Sequence, residues 1–153
     1  MNTNLIFISI FHLFTLNSIA CTCVTASVKD RVADYEVIVK GEVLEVEKDN
    51  KKGYQQVNLK GDTVNVHTVF GHRTTLLIKA YYKGKEIKDT MYIAPNESNC
   101  ELLLKKGETY LIYGQYVDGK IETSICSGSD LIKDNPDLKY FSKKRGLKPK
   151  TIE

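Results

Sequence analysis

The chain has 153 residues, of which 42% are hydrophobic and 27% charged, and it carries four cysteines and a formal charge of only +3 at pH 7. That length suits one compact domain and leaves little for a second. The charge is too small and too dispersed for a nucleic-acid surface.

The first predicted element is a leader. Residues 1–20 hold an apolar run from Leu5 to Leu16, broken only by Ser9, His12 and Thr15, and then Ser18-Ile19-Ala20, which fits small-x-small cleavage after Ala20. The run is too short for a membrane span. No Lys or Arg precedes it, so the reading of a signal peptide rests on the apolar run and the cleavage site. Removal of residues 1–20 leaves 133 of the 153 and makes Cys21-Thr22-Cys23-Val24 the new N-terminus. Residues 21–142 are read as one domain, and 143–153 as a solvated basic tail containing Lys143, Lys144, Arg145, Lys148 and Lys150. Export also favours disulfides over free thiols. Cysteines one residue apart rarely bond to each other, so Cys21 and Cys23 each reach for Cys100 or Cys126, and two pairings remain open. Either closes loops on the order of a hundred residues, contributing roughly 4 to 5 kcal/mol apiece.

Thr25 or Ser27 is placed to cap a short helix through Val28 and Val32 to Ala33. A long strand follows from Tyr35 to Glu47. Val39, Gly41 and Val43 share one face, then Leu44 and Val46 carry the apolar phase on the other, and a phase slip beside a glycine predicts a bulge that bends the strand. Further strands are predicted at Gln55–Lys60, Thr63–Phe70, Thr74–Tyr82, Ile87–Ala94, Thr109–Val117 and Lys120–Ile125. Asp118-Gly119 supplies the positive φ of a type I′ hairpin, and Lys60-Gly61-Asp62 and Lys83-Gly84-Lys85 mark two more turns. After Cys126, residues Leu131, Ile132, Leu138, Tyr140 and Phe141 predict helical turns interrupted before Pro136, covering a barrel end. The fold class is all-β with short flanking helices, an OB-fold-like Greek-key β-barrel, in preference to an immunoglobulin-like sandwich, whose core Trp this chain lacks.

Motifs for a self-contained catalytic site are missing: the sequence has no Gly-rich phosphate loop, no His-Glu-x-x-His and no Gly-x-Ser-x-Gly. His67 and His72 lack a third obvious metal ligand and are read as polar surface residues. The nine tyrosines lie largely in strand patterns, where packing is the ordinary role. Asn96-Glu97-Ser98 is a formal glycosylation sequon.

Three segments together carry a resemblance to a known family. Cys21-Thr22-Cys23-Val24, the stretch Ala94-Pro95-Asn96-Glu97-Ser98-Asn99-Cys100, and Gly107 followed by Tyr110-Leu111-Ile112, Gly114, Asp118-Gly119-Lys120 and Thr123 ahead of Cys126 resemble the N-terminal inhibitory domain of the tissue inhibitors of metalloproteinases. The resemblance runs from about Cys21 to Phe141. It implies a five-stranded OB-type barrel, pairing of Cys21 with Cys100 and of Cys23 with Cys126, and an inhibitory ridge made of Cys21, Thr22, Cys23, Val24, Glu97, Ser98, Asn99 and Cys100. It further implies a secreted, monomeric inhibitor of a zinc metalloendopeptidase, with no cofactor and no catalytic residue of its own. The Cys21 amine and carbonyl would take the catalytic zinc of the target, and Thr22 would enter its specificity pocket. The sequence departs from the family in having four cysteines where six are usual, in lacking the extra bridge near the first helix, and in carrying Ser127-Gly128-Ser129 where a more apolar stretch is common. The alternative reading is an exported OB-like binding or adhesion module without inhibitory activity, held to a membrane only if Cys21 is lipidated; an even cysteine count argues against that modification.

Overall fold

A computed structural model of the chain describes residues 21–48, 52–59, 62–69, 71–85, 87–96, 100–133, 135–143 and 150, with only the backbone pairing of 52–59 and 62–69. The predicted leader, the Lys60-Gly61 turn and the ridge residues Glu97, Ser98 and Asn99 lie outside the described residues, as do 144–149 and 151–153 of the basic tail. In chain order the elements are α1 (Val28–Asp34), β1 (Val37–Lys48), β2 (Lys52–Leu59), β3 (Asp62–Val69), β4 (His72–Lys83), β5 (Thr90–Ile93), β6 (Thr109–Val117), β7 (Lys120–Glu122), a 3₁₀ turn (Ile125–Ser127), β8 (Asp130–Leu131) and α2 (Leu138–Lys143). Among the described residues no helix is long and apolar enough to cross a membrane.

Strands β1, β4, β5, β7 and β6 pair in that order, and β1 pairs again with β6, which closes a five-stranded barrel. Closure needs one strand to serve two neighbours, and β1 does so by bending. Its register against β4 shifts at Ile38/Val39, Lys40/Gly41 and Val43/Glu45, while Val37 to Glu42 pair with Gly114 to Thr109 of β6. The bulge predicted beside Gly41 is therefore present. A Cβ at Gly41 would sit 3.3 Å from the Leu76 side chain, so the glycine also lets β4 pack closely. The parallel pairing of β5 with β7 completes the OB arrangement. At the β6–β7 hairpin Asp118 and Gly119 have φ of 49° and 78°, the pair of left-handed residues that a type I′ turn demands. Strands β2 and β3 form a separate two-stranded ribbon between β1 and β4, with Leu59 opposite Asp62.

The barrel interior is one apolar cluster built from Val37, Val39, Val43, Leu76, Ile78, Met91, Ile93, Leu104, Tyr110, Ile112 and Ile121. Residues of the opposite parity, Ile38 on β1 with Leu111 and Tyr113 on β6, face outward and form a second cluster with Phe141. Val32, Tyr35 and Tyr82 pack against it, with the Tyr82 and Phe141 ring centroids 4.4 Å apart. The C-terminal helix therefore covers the outer wall of the barrel and not one of its ends, because β1 and β6 alternate apolar residues on both faces. Other expectations also need correction. Leu131 belongs to a short strand bridged to Tyr110 on β6, so the helical turn begins only at Leu138, beyond Pro136. Lys83-Gly84-Lys85 is not a tight hairpin turn, since β5 is confined to Thr90–Ile93 and the connection runs through 84–89.

Candidate functional site

The N-terminal segment reaches the barrel through two disulfides. Cys21 bonds to Cys100 and Cys23 to Cys126, with Cα separations of 5.4 and 5.0 Å, the pairing that the family resemblance implied. The Sγ atoms of Cys21 and Cys126 are only 3.5 Å apart, so the two bonds stack as a single node. Beneath it the Ile125 amide donates to the Cys100 carbonyl at 3.0 Å, which joins the two partner segments directly. Cys21 and Cys100 are half-buried, whereas Thr22, Cys23 and Val24 are exposed, Val24 by 88%. An exposed isoleucine, Ile125, stands on the 3₁₀ turn of the same node.

Chemically, this is an N-terminal segment tied to the barrel at two points, with its cysteines committed to disulfides. The sulfurs of Cys21, Cys23 and Cys126 lie within 4.8 Å of one another, a spacing that could hold a metal. All of them are consumed in disulfides, and none can supply the thiolate that a Cys-metal site uses. With its sulfurs committed, the segment keeps its backbone nitrogen and oxygen atoms as candidate donors to a metal.

Three polar arrangements surround the node, and the contacts they make were not foreseen in the sequence. On the Cys100 side, Glu101 accepts a hydrogen bond from the His72 amide, and its other carboxylate oxygen lies 3.0 Å from His72 Nδ1. His72 is thus a half-buried tie between β4 and the Cys100 segment, not the surface residue its sequence context suggested. The His67 side chain is not described.

On the Cys126 side, buried serines replace apolar packing. Ser129 Oγ accepts from the Tyr113 amide at 2.8 Å and from Ser127 Oγ at 2.7 Å, and Thr123 Oγ1 donates to the Tyr113 carbonyl at 2.7 Å. Each buried hydroxyl has partners, which is why Ser127-Gly128-Ser129 can stand where apolar residues would otherwise fill space. Behind the N-terminal segment, Arg31 of α1 donates to the Ala26 carbonyl and to Asp137 Oδ2, with its guanidinium 5.3 Å from the Tyr113 ring centroid. Tyr113 OH donates to the same carboxylate at 2.7 Å. Burial, then the bond to Asp137, raise the Tyr113 phenol well above its ordinary range, so it stays a donor at any physiological pH. Ser27 caps α1 by accepting from the Asp30 amide, as one of the two predicted caps.

A family model described as tissue inhibitor of metalloproteinase matches residues 19–148 of this chain. The chain belongs to that family. No individual curated protein matches it. Membership makes the chain a metalloproteinase inhibitor and not an enzyme. Within this tissue-inhibitor chain, the two cysteines of the N-terminal motif and their partners are brought together from positions 79 and 103 residues apart.

Proposed function

We propose that the chain is exported, cleaved after Ala20, and inhibits a secreted zinc metalloendopeptidase through the Cys21 amine and carbonyl, which chelate the target's catalytic zinc. The observation that carries this reading is the double staple: Cys21 is fixed through its own sulfur, while Thr22, Cys23 and Val24 beside it face solvent. A free α-amine has a pKa near roughly 8, so a useful fraction is neutral at physiological pH and can donate its lone pair. Amine and carbonyl of one residue form a compact chelate that displaces the water a zinc protease activates. Because the disulfides order this segment before binding, little conformational entropy opposes association. Thr22 then enters the specificity pocket, and Glu97, Ser98 and Asn99, which precede Cys100 in sequence, are proposed to contribute to the same contact. The sulfur of Cys21 lies in the bond to Cys100, which speaks against a lipid-anchored module.

The test is to place one alanine before Cys21, or to acetylate its amine, and to assay a panel of secreted metalloendopeptidase catalytic domains. Inhibition is expected to disappear while both disulfides and the thermal transition are retained. Undiminished inhibition would rule out chelation by the amine.

A further inference from the structure

Helix α1 immediately follows the proposed ridge, yet none of its residues is fully buried. Apolar contact from Val32 and Tyr35 holds it only in part. The strongest specific tie is polar: Arg31 pairs with Asp137 across 106 residues of sequence, with side chains only 16% and 9% exposed. Such a pair is costly to bury, and Arg31 Nε has no partner among the described atoms. Hydrophobic residues of similar volume would hold the helix as firmly. What they could not supply is direction, since the planar guanidinium fixes two acceptors in one geometry.

Those acceptors define what is being positioned. One is the Ala26 carbonyl, three residues after Cys23, and the other is the carboxylate that also receives Tyr113 OH. On the opposite side the Arg31 stem packs against Gly128, two residues after Cys126. Gly128 has φ +82°, and a Cβ there would lie 2.6 Å from Arg31 Cδ. Arg31 is therefore wedged between the two chain segments that leave the Cys23–Cys126 bond. We propose that Arg31 and Asp137 are positioning residues for the ridge, setting the path of Val24–Ala26 and through it the presentation of Cys21–Val24. The pair joins the first helix to the C-terminal segment in a chain without an additional bridge there. The inference rests on the inhibitory reading for its consequence, but its first readout needs no protease.

Arg31→Met, Arg31→Lys and Asp137→Asn separate position from stability, the last being nearly isosteric so that the fold survives even if Arg31→Met does not. In the protein beginning at Cys21, backbone order parameters of Val24, Thr25 and Ala26 are expected to fall from about 0.85 to below about 0.6 in all three variants, with the β6–β7 hairpin unchanged. Arg31→Lys retains the charge and recovers the thermal transition of Arg31→Met, but one ammonium cannot hold both acceptors in the fork geometry, so order at Val24–Ala26 is not recovered. Inhibition of the metalloendopeptidase panel weakens about tenfold in step with the order parameters. Unchanged order at Val24–Ala26, an equal loss across the barrel, full recovery by Arg31→Lys, or full inhibition despite a disordered segment would each overturn the proposal. If the parent protein inhibits no protease, the inhibitory reading fails on its own, and the order parameters still decide whether the pair fixes the segment.

Discussion

Removing the Cys23–Cys126 bond by Cys23→Ser with Cys126→Ser tests how the two staples share the work. The cysteines are 103 residues apart, which for a lone crosslink corresponds to about 4.7 kcal/mol of lost unfolded-chain entropy. The bond is not alone. With Cys21–Cys100 intact, the loop it closes runs from Cys23 to Cys21, across the sulfurs to Cys100 and on to Cys126, about 28 residues in all. Its contribution drops to about 3.6 kcal/mol, and removal of both bonds costs about 8 kcal/mol, a large part of the 5 to 15 kcal/mol that holds a typical domain folded. Equilibrium unfolding in guanidinium measures this directly, and a domain of this size should lose about 13 °C in Tm when the second bond alone is removed. The m-value should rise as the unfolded chain expands. A loss below about 1.5 kcal/mol with an unchanged m-value would refute the premise that the bond acts by constraining the unfolded state.

Two further outcomes follow from individual side chains. Burial, and then the hydrogen bond to Glu108, push the Tyr110 phenol from 10.0 up to about 12. The folded chain thus holds this proton more tightly than the unfolded chain, so the stabilisation is complete below about pH 10 and is lost as pH rises through about 12. Denaturation curves collected across that window should steepen in pH dependence for the parent relative to Tyr110→Phe, and parallel curves would refute the assignment. Thr22→Gly should raise inhibition constants and do so unequally across the metalloendopeptidase panel, because it removes the side chain proposed to fill the specificity pocket. A uniform change across targets would count against that role.

Local chemistry made much of this fold legible. Asp118-Gly119 carries its own turn, since the positive φ it adopts is a property of those two residues. The phase slip around Gly41 announced the bend of β1, because a shift of side-chain parity cannot occur in a regular strand. Ser27 ahead of Asp30 announced the cap. The pairing of Cys21 with Cys100 and of Cys23 with Cys126 could be expected as well, but only because Cys21-Thr22-Cys23-Val24 resembles a family motif. Spacing alone excluded a bond between neighbours and left two pairings open, since nothing in the chain records which distant cysteine lies beside which.

Tertiary structure decided what depends on distant residues meeting. Nothing in the sequence links Arg31 to Asp137, 106 residues away; they pair because the closed barrel sets α1 beside the segment before α2. His72 and Glu101 are separated by 29 residues and meet because β4 begins where the Cys100 segment passes. Ser127 and Ser129 look out of place in sequence and are buried and satisfied in the fold, through Thr123 and the Tyr113 backbone. Turn and strand signals are written in one or two neighbouring residues, where sterics act locally. A polar contact becomes strong only after the fold has removed water from around it, and that environment is a property of the closed barrel and its covering helices rather than of any short stretch of sequence.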